Sequence, residues 1–168
     1  MTFALESPLG CLLVETGAAG VRSIDFLDDG ERVDVGPPAT MDGTAAALRA
    51  YFDGDIDAID AIDVDLDGQP PFRRLVLTTL RSVPSGEVVS YGGLAALAGA
   101  HGSRVPRAVG QAVGRNPVPI VVPCHRVVAA DGGLGGYGSG LERKRWLLAH
   151  EGVPDRPGGW VARRSRAR

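Results

Sequence analysis

The chain is poor in the residues from which covalent frameworks and metal sites are made. Its 168 residues include two cysteines, Cys11 and Cys124, and three histidines, His101, His125 and His150. Two widely separated cysteines argue against a disulfide framework and suit a reducing compartment. With so few histidines no compact set of metal ligands can be written, and no metal or cofactor is expected. Export and membrane signals are also missing. The opening MTFALESPLG has neither a basic start nor an apolar core, and no apolar run approaches the roughly 18 residues that a membrane span needs. The expectation is a soluble, cytoplasmic protein that makes no use of a membrane.

Basic residues are scarce in the first part of the chain and acidic ones in the rest. Residues 1–69 carry three basic side chains (Arg22, Arg32 and Arg49) against fifteen acidic ones, net −12, whereas residues 70–168 carry fifteen against five, net +10. The overall charge of −2 conceals this division. A strongly basic half points to a polyanion, because each phosphate it neutralises releases counterions. The asymmetry suggests two lobes with different jobs. We expect an acidic α/β domain over 1–69, a second domain over 70–153 and a basic, disordered tail over 154–168. With 44% hydrophobic residues there is enough material for a core.

In the first lobe TFALESPLG, CLLVETG and VRSIDFLDD are short apolar stretches divided by turn residues, and read as three strands of a small antiparallel sheet. MDGTAAALRAYFDG reads as a helix holding Ala46, Leu48, Ala50, Tyr51 and Phe52, with Thr40 or Asp42 as N-cap and Gly54 past its end. DIDAIDAIDVDLDGQPP reads as a solvated acidic linker with room for an edge strand. It lacks the closing glutamate of a calcium loop. Cys11 reads as a buried strand residue.

In the second lobe PFRRLVLTTLRSV reads as an amphipathic helix burying Phe72, Leu75, Leu80 and Val83, and stopped by Pro84 and Gly86. Two short helices, Ser90 to Ala100 and Arg104 to Arg115, follow, joined by AHGS. This is the helix-turn-helix pattern, though many such hairpins bind nothing. IVVPCHRVV reads as a buried strand interrupted by Pro123. A glycine-rich loop, DGGLGGYGSG, leads to LERKRWLLAHEG, a helix with one basic and one apolar face. His101 and His150 read as turn and surface residues.

Cys124 and His125 stand side by side. A cysteine in an apolar run is ordinarily a small buried hydrophobe, and strand neighbours point to opposite faces. A kink at Pro123 relaxes that objection. A nucleophilic thiol needs a base, and the base works best when a third group orients it. Glu151 is the candidate for that group; the alternative is an exposed helix-end carboxylate, a position unfavourable for negative charge. The loop's glycine spacing matches neither phosphate-binding motif. It suits backbone that approaches a flat ligand closely beside Tyr137, or a plain surface turn.

The segments SYGGLAALAG, PRAVGQAVGRNPVPIVVPCHRVV, GGLGGYGSG and KRWLLAHEG, between Ser90 and Gly152, resemble the C-terminal domain of the O6-alkylguanine-DNA alkyltransferases, also called methylated-DNA–protein-cysteine methyltransferases. Pro-Cys-His-Arg-Val after Arg-Ala-Val-Gly and Asn-Pro is a highly specific signal. The likeness extends more loosely through PFRRLV into the first lobe. It implies an α/β (α+β) two-lobe fold, with a small ribonuclease H-like antiparallel sheet plus helix, then a mostly helical domain with a helix-turn-helix. It also implies DNA repair: a single-turnover, suicidal transfer of an alkyl group, usually methyl, from O6-alkylguanine in duplex DNA to Cys124 after nucleotide flipping, with O4-alkylthymine as a further substrate.

The resemblance further implies a role for each matched residue. Cys124 is the acceptor, His125 takes its proton through a water, Glu151 orients His125, and Asn116 ties the second helix to the active-site turn. Tyr91 helps to hold the flipped nucleotide and offers it a hydroxyl, and Arg107 fills the gap in the stack. Ala108 and Gly110, with Ala112 and Gly114, permit close approach to the minor groove, while Val127, Tyr137, Gly138 and Ser139 line the base pocket. Arg126 is structural. Pro106 directly precedes Arg107, and Ser139 stands where a glycine is common, which implies a narrower pocket. A monomer, associated with the nucleoid in use, is expected. A damage sensor lacks the acceptor cysteine, a Cys-His-Glu hydrolase regenerates its thiol, and a transcription factor has no need of Pro-Cys-His-Arg.

Overall fold

The computed structural model describes residues 1–28, 33, 35 and 43–153. The expected caps Thr40 and Asp42 and the tail 154–168 lie outside them. The described chain is mixed α/β and divides into two compact units. One comprises Met1–Gly68 with Pro117–Val121, the other Gln69–Asn116 with the chain from Val122 onward.

The first unit is built on an antiparallel sheet in the order β1-β2-β3, with β1 at Thr2–Ser7, β2 at Gly10–Gly17 and β3 at Gly20–Phe26. Alternation sets its inner face. Phe3 lies opposite Val14 and Leu5 opposite Leu12, while Val14 in turn faces Ile24, and all five are buried. The register shifts between Glu15 and Thr16, which brings Val21 as well as Ile24 inward. Helix α1, Gly43–Phe52, buries Ala45, Leu48 and Tyr51 at a helical spacing.

Two expectations for this unit need correction. The acidic stretch after α1 is no solvated linker: it forms a 3-10 turn at Ala58–Ala61 and buries Ile59, Ile62 and Leu66. Its aspartates alternate with apolar residues, so the chain turns the acids outward and inserts the rest. Val64 makes a single parallel bridge to Val21, with Val21 N donating to Asp63 O at 2.8 Å and Asp65 N to Val21 O at 2.9 Å. Gly20 permits this approach, since a Cβ there would meet Asp63 O at 2.4 Å. Cys11, opposite Glu6, is partly exposed rather than buried.

The second unit packs three helices together: α2 at Pro71–Leu80, α3 at Tyr91–Leu97 and α4 at Val105–Gly114. Pro71 opens α2 without losing a hydrogen bond, because first-turn N–H groups have no helical acceptor. The expected face of α2 holds in part: Leu80 and Val83 are buried as expected, but Val76 and Leu77 take the inner positions expected of Phe72 and Leu75, which are 39% and 46% exposed. Both sets fit a helical period, and tertiary packing selects the phase. Ser90 caps α3 by accepting from Gly93 N at 3.0 Å.

The apolar run before the cysteine is not a strand. Only β5, Val127–Val128, is extended, and it pairs in parallel with β4, Val89–Ser90. Helix α5, Leu141–His150, follows the glycine-rich loop and ends at Glu151. Val88, Val128, Leu148 and Val153 form a local core beneath it. Among the described residues no helix is long and apolar enough to cross a membrane.

The phase of α2 is open to a direct check. Leu77→Ala is expected to lower stability by about 2–5 kcal/mol by opening a cavity, whereas Leu75→Ser should stay within about 0.5 kcal/mol. Urea denaturation of both variants decides; the reverse order would restore the expected face.

Candidate active site

Proline chemistry creates the turn that presents the cysteine. Pro123 has φ −80° and ψ 64°, the backbone of an inverse γ-turn, and Cys124 N closes it on Val122 O at 2.8 Å. A proline has no N–H to lend a strand ladder. The chain therefore continues as one 3-10 turn, Cys124–Arg126. Just upstream Ile120 takes φ 75°, a left-handed conformation that is strained for a β-branched residue. Asn116, past the end of α4, donates through Nδ2 to the same Val122 O at 2.8 Å.

Cys124 and His125 therefore lie on a 3-10 turn and not on a strand, so the rule that sends strand neighbours to opposite faces does not apply to them. His125, Arg126 and Glu151 are all buried, and the first two hydrogen-bond to the third. His125 Nε2 lies 2.8 Å from Glu151 Oε1. Arg126 Nε donates to Oε2 at 2.8 Å and Nη2 to Oε1 at 2.9 Å. Arg126 also donates through Nη1 to Val83 O at 2.6 Å and through Nη2 to Ser85 Oγ at 3.1 Å. Glu151 is thus no exposed helix-end carboxylate, and Arg126 has the structural role expected of it.

The electrostatics assign protons. Burial alone raises the Glu151 carboxyl, but His125 and Arg126 outweigh it and hold the group well below the usual carboxylate range. Burial pushes the His125 ring down despite the opposing pull of Glu151, so the ring is neutral at pH 7. An ionised Glu151 accepts from Nε2–H, which leaves Nδ1 with its lone pair. That atom is buried and has no hydrogen-bond partner. Burial pushes the Cys124 thiol up, against Asn116, Lys144 and Tyr137, which pull it down. At neutral pH the site therefore holds a protonated thiol, a neutral imidazole with one open basic nitrogen, and a carboxylate.

Of the remaining expected residues, Tyr137 and Tyr91 interact with Cys124. Tyr91 begins α3 and its ring lies against α4 and the loop: a Cβ on Gly110 would sit 3.7 Å from the ring, and one on Gly135 would sit 2.9 Å from the hydroxyl oxygen. Burial raises the Tyr91 phenol, which keeps it protonated. Tyr137 and Ser139 are partly buried in the loop and Gly138 is exposed, with Val127 fully buried behind the turn. Arg107 projects from the first turn of α4 into solvent, while Ala108 is half-buried. His150 stacks on Trp146 with ring centroids 4.7 Å apart, and His101 is exposed.

Sequence reasoning missed one participant, Lys144. It is fully buried and donates to the carbonyls of Val127, Leu134 and Gly136. Its spacing to Leu147, Leu148 and Glu151 was the available signal, because residues three, four and seven apart share a helix face.

Removing one partner from a buried ion pair strands the other charge. Arg126→Met is therefore expected to cost about 3–5 kcal/mol. The depressed pKa values of Glu151 and His125 both act in one direction: the unfolded chain binds more protons, so stability falls as pH drops below about 6.5 and further through the carboxylate range. Denaturation midpoints of the native chain and the variant between about pH 7 and pH 3 test both statements; a midpoint that rises on acidification contradicts the second.

Residues 71–153 match the family model described as the 6-O-methylguanine DNA methyltransferase, DNA binding domain. The methylated-DNA–protein-cysteine methyltransferase of Shigella flexneri is 46% identical over 122 residues, covering 73% of this chain and 68% of that protein. The human protein of the same name is 41% identical over 165 residues, covering 88% and 78%. The crystal structure of Mycobacterium tuberculosis OGT in complex with DNA superimposes with a TM-score of 0.74 at 38% identity, covering 88% of this chain and 90% of that one. Coming on top of the Cys-His-Glu centre, these likenesses identify the chain as a member of the methylated-DNA–protein-cysteine methyltransferase family.

Proposed function

We propose that the protein repairs DNA by moving the alkyl group of an O6-alkylguanine onto Cys124, once per molecule. The observation that carries this reading is the open, buried Nδ1 of a neutral His125, held by Glu151 through its other nitrogen and adjacent in sequence to a protonated thiol. The thiol proton passes to Nδ1 through a water. The sulfur then attacks the alkyl carbon, the bond from that carbon to O6 breaks, and its electron pair stays on the guanine. Tyr91, protonated and placed beside the loop, supplies a proton to the departing base. The product is a thioether, which has no easy leaving group, and the thiol is not regenerated.

The target atom is inaccessible in a duplex, so the nucleotide must be flipped at a cost of roughly a few kcal/mol. On this reading α3 and α4 are a helix-turn-helix that enters the minor groove. Ala108, Gly110 and Gly114 allow the approach, and the exposed Arg107 fills the vacated stack. Val127, Tyr137, Gly138 and Ser139 hold the base. Binding depends strongly on salt and little on sequence. The protein acts as a monomer on chromosomal DNA in the cytoplasm and accepts O4-alkylthymine as well. The division of labour assigns DNA and chemistry to residues 70–153, leaving 1–69 as a separate, acidic, ribonuclease H-like domain.

Two outcomes are expected. Incubation with a duplex carrying one O6-methylguanine should add one methylene mass at Cys124, stoichiometrically, and nothing to Cys124→Ser; intact-mass spectrometry reads both, and an unchanged mass despite tight binding leaves a damage sensor. His125→Asn should slow transfer about 10²- to 10⁴-fold. Its rate should climb with pH as the thiol ionises, whereas that of the native chain is flat near neutrality; matching profiles in a quenched single-turnover assay would remove His125 as the base.

A further inference from the structure

The loop read above as the base pocket has few side chains with which to hold itself. Six of the nine residues from 132 to 140 are glycine. Backbone hydrogen bonds close its two ends, Ala129 N to Gly133 O at 2.9 Å and Gly140 N to Tyr137 O at 3.0 Å. The middle is held from α5. Lys144, the single lysine of the chain, sends Nζ to the carbonyls of Leu134 and Gly136, the latter at 3.3 Å, and to Val127 O at 2.6 Å. An ammonium has three hydrogens for three acceptors. Two helical turns further along the same face, Glu151 grips His125 and Arg126. One rigid helix thus seats the segment 125–127 and the loop opposite it.

We propose that Lys144 is a positioning residue for the target base: by tying the carbonyls of Leu134 and Gly136 to that of Val127, it sets the loop as a formed pocket wall before any base enters. This rests on reading the loop as the base pocket. Preorganisation of this kind spares binding energy that ordering the loop would otherwise consume. The loop's position also matters to Tyr91, whose hydroxyl faces Gly135 so closely that a Cβ there would lie 2.9 Å away.

The clamp is sensitive to pH. Burial pushes the Lys144 ammonium down to about 8, against the pull of Cys124. The titratable groups facing it are that thiol and the neutral His125 ring. Above about pH 8 the neutral amine has two hydrogens for the three carbonyls, and the loop loosens.

The test compares single-turnover methyl transfer from an O6-methylguanine duplex to the native chain, Lys144→Met and Lys144→Arg. Lys144→Met should raise the half-saturating duplex concentration about tenfold or more, with affinity for undamaged duplex unchanged and Lys144→Arg recovering much of the loss. Unchanged half-saturation overturns the proposal, including the case in which only the maximal rate falls. A native chain that transfers no methyl group refutes the proposed function instead. For that case, or if Lys144→Met does not fold, hydrogen exchange of the native chain decides. Between about pH 7 and pH 9.5 the amides of residues 133–139 should gain about tenfold or more beyond intrinsic base catalysis, while those of β1–β3 do not. No such gain overturns the clamp.

Discussion

A carboxylate cut off from water has to be met by donors on both oxygens, or its burial is prohibitive. Glu151, 3% exposed, meets that condition through Arg126 and His125, and much else follows from it. Because Arg126 is committed to Glu151, its remaining hydrogens go to Val83 and Ser85, which ties the segment after α2 to the turn. Because His125 is committed through Nε2, its tautomer is set and Nδ1 is left basic. A helix end is normally a poor place for negative charge, but here the cation and the imidazole lie within hydrogen-bond distance, where they outweigh the diffuse end of a dipole.

The turn at Pro123 is the second requirement, since it replaces the strand geometry that would send two successive side chains to opposite faces. Four features bear on it: the missing N–H of Pro123, the γ-turn closed on Val122 O, the left-handed Ile120, and Asn116 donating to that same carbonyl. Strain at Ile120 costs on the order of 1–3 kcal/mol, and Ile120 itself is fully buried. Asn116 lies two residues past the end of α4, so the chain leaving the helix proposed to engage DNA is hydrogen-bonded to the turn that carries the nucleophile.

What could be read in the sequence and what could not divide along physical lines. The sheet was legible because Phe3, Leu5, Leu12 and Val14 alternate and glycines mark the turns. The residues of the centre were legible through their family resemblance, and the kink at Pro123 from its missing donor. The phase of α2 was not, because Phe72, Leu75, Val76 and Leu77 offer two apolar stripes and only the neighbouring helices choose between them. The acidic stretch misled because charge density hid Ile59, Ile62 and Leu66, which are inward at intervals of three and four. Lys144 was obscured by its neighbours: Arg143 and Arg145 make the helix look uniformly basic, although its phase relative to Leu147 and Leu148 places it inside.

The buried charges also bear on where the chemistry can run. Among the described residues the buried polar side chains are His125, Arg126, Lys144 and Glu151. With His125 neutral, Arg126 and Glu151 cancel, and the Lys144 ammonium is left facing a thiol that carries no charge. A low-dielectric site with unbalanced positive charge is unfavourable at rest and becomes favourable once an anion forms beside it. In the proposed transfer negative charge appears first on the sulfur and then on the departing guanine, so the imbalance is relieved along the reaction rather than in the resting protein. What offsets that cost in the resting fold is the set of three carbonyls that accept from Lys144.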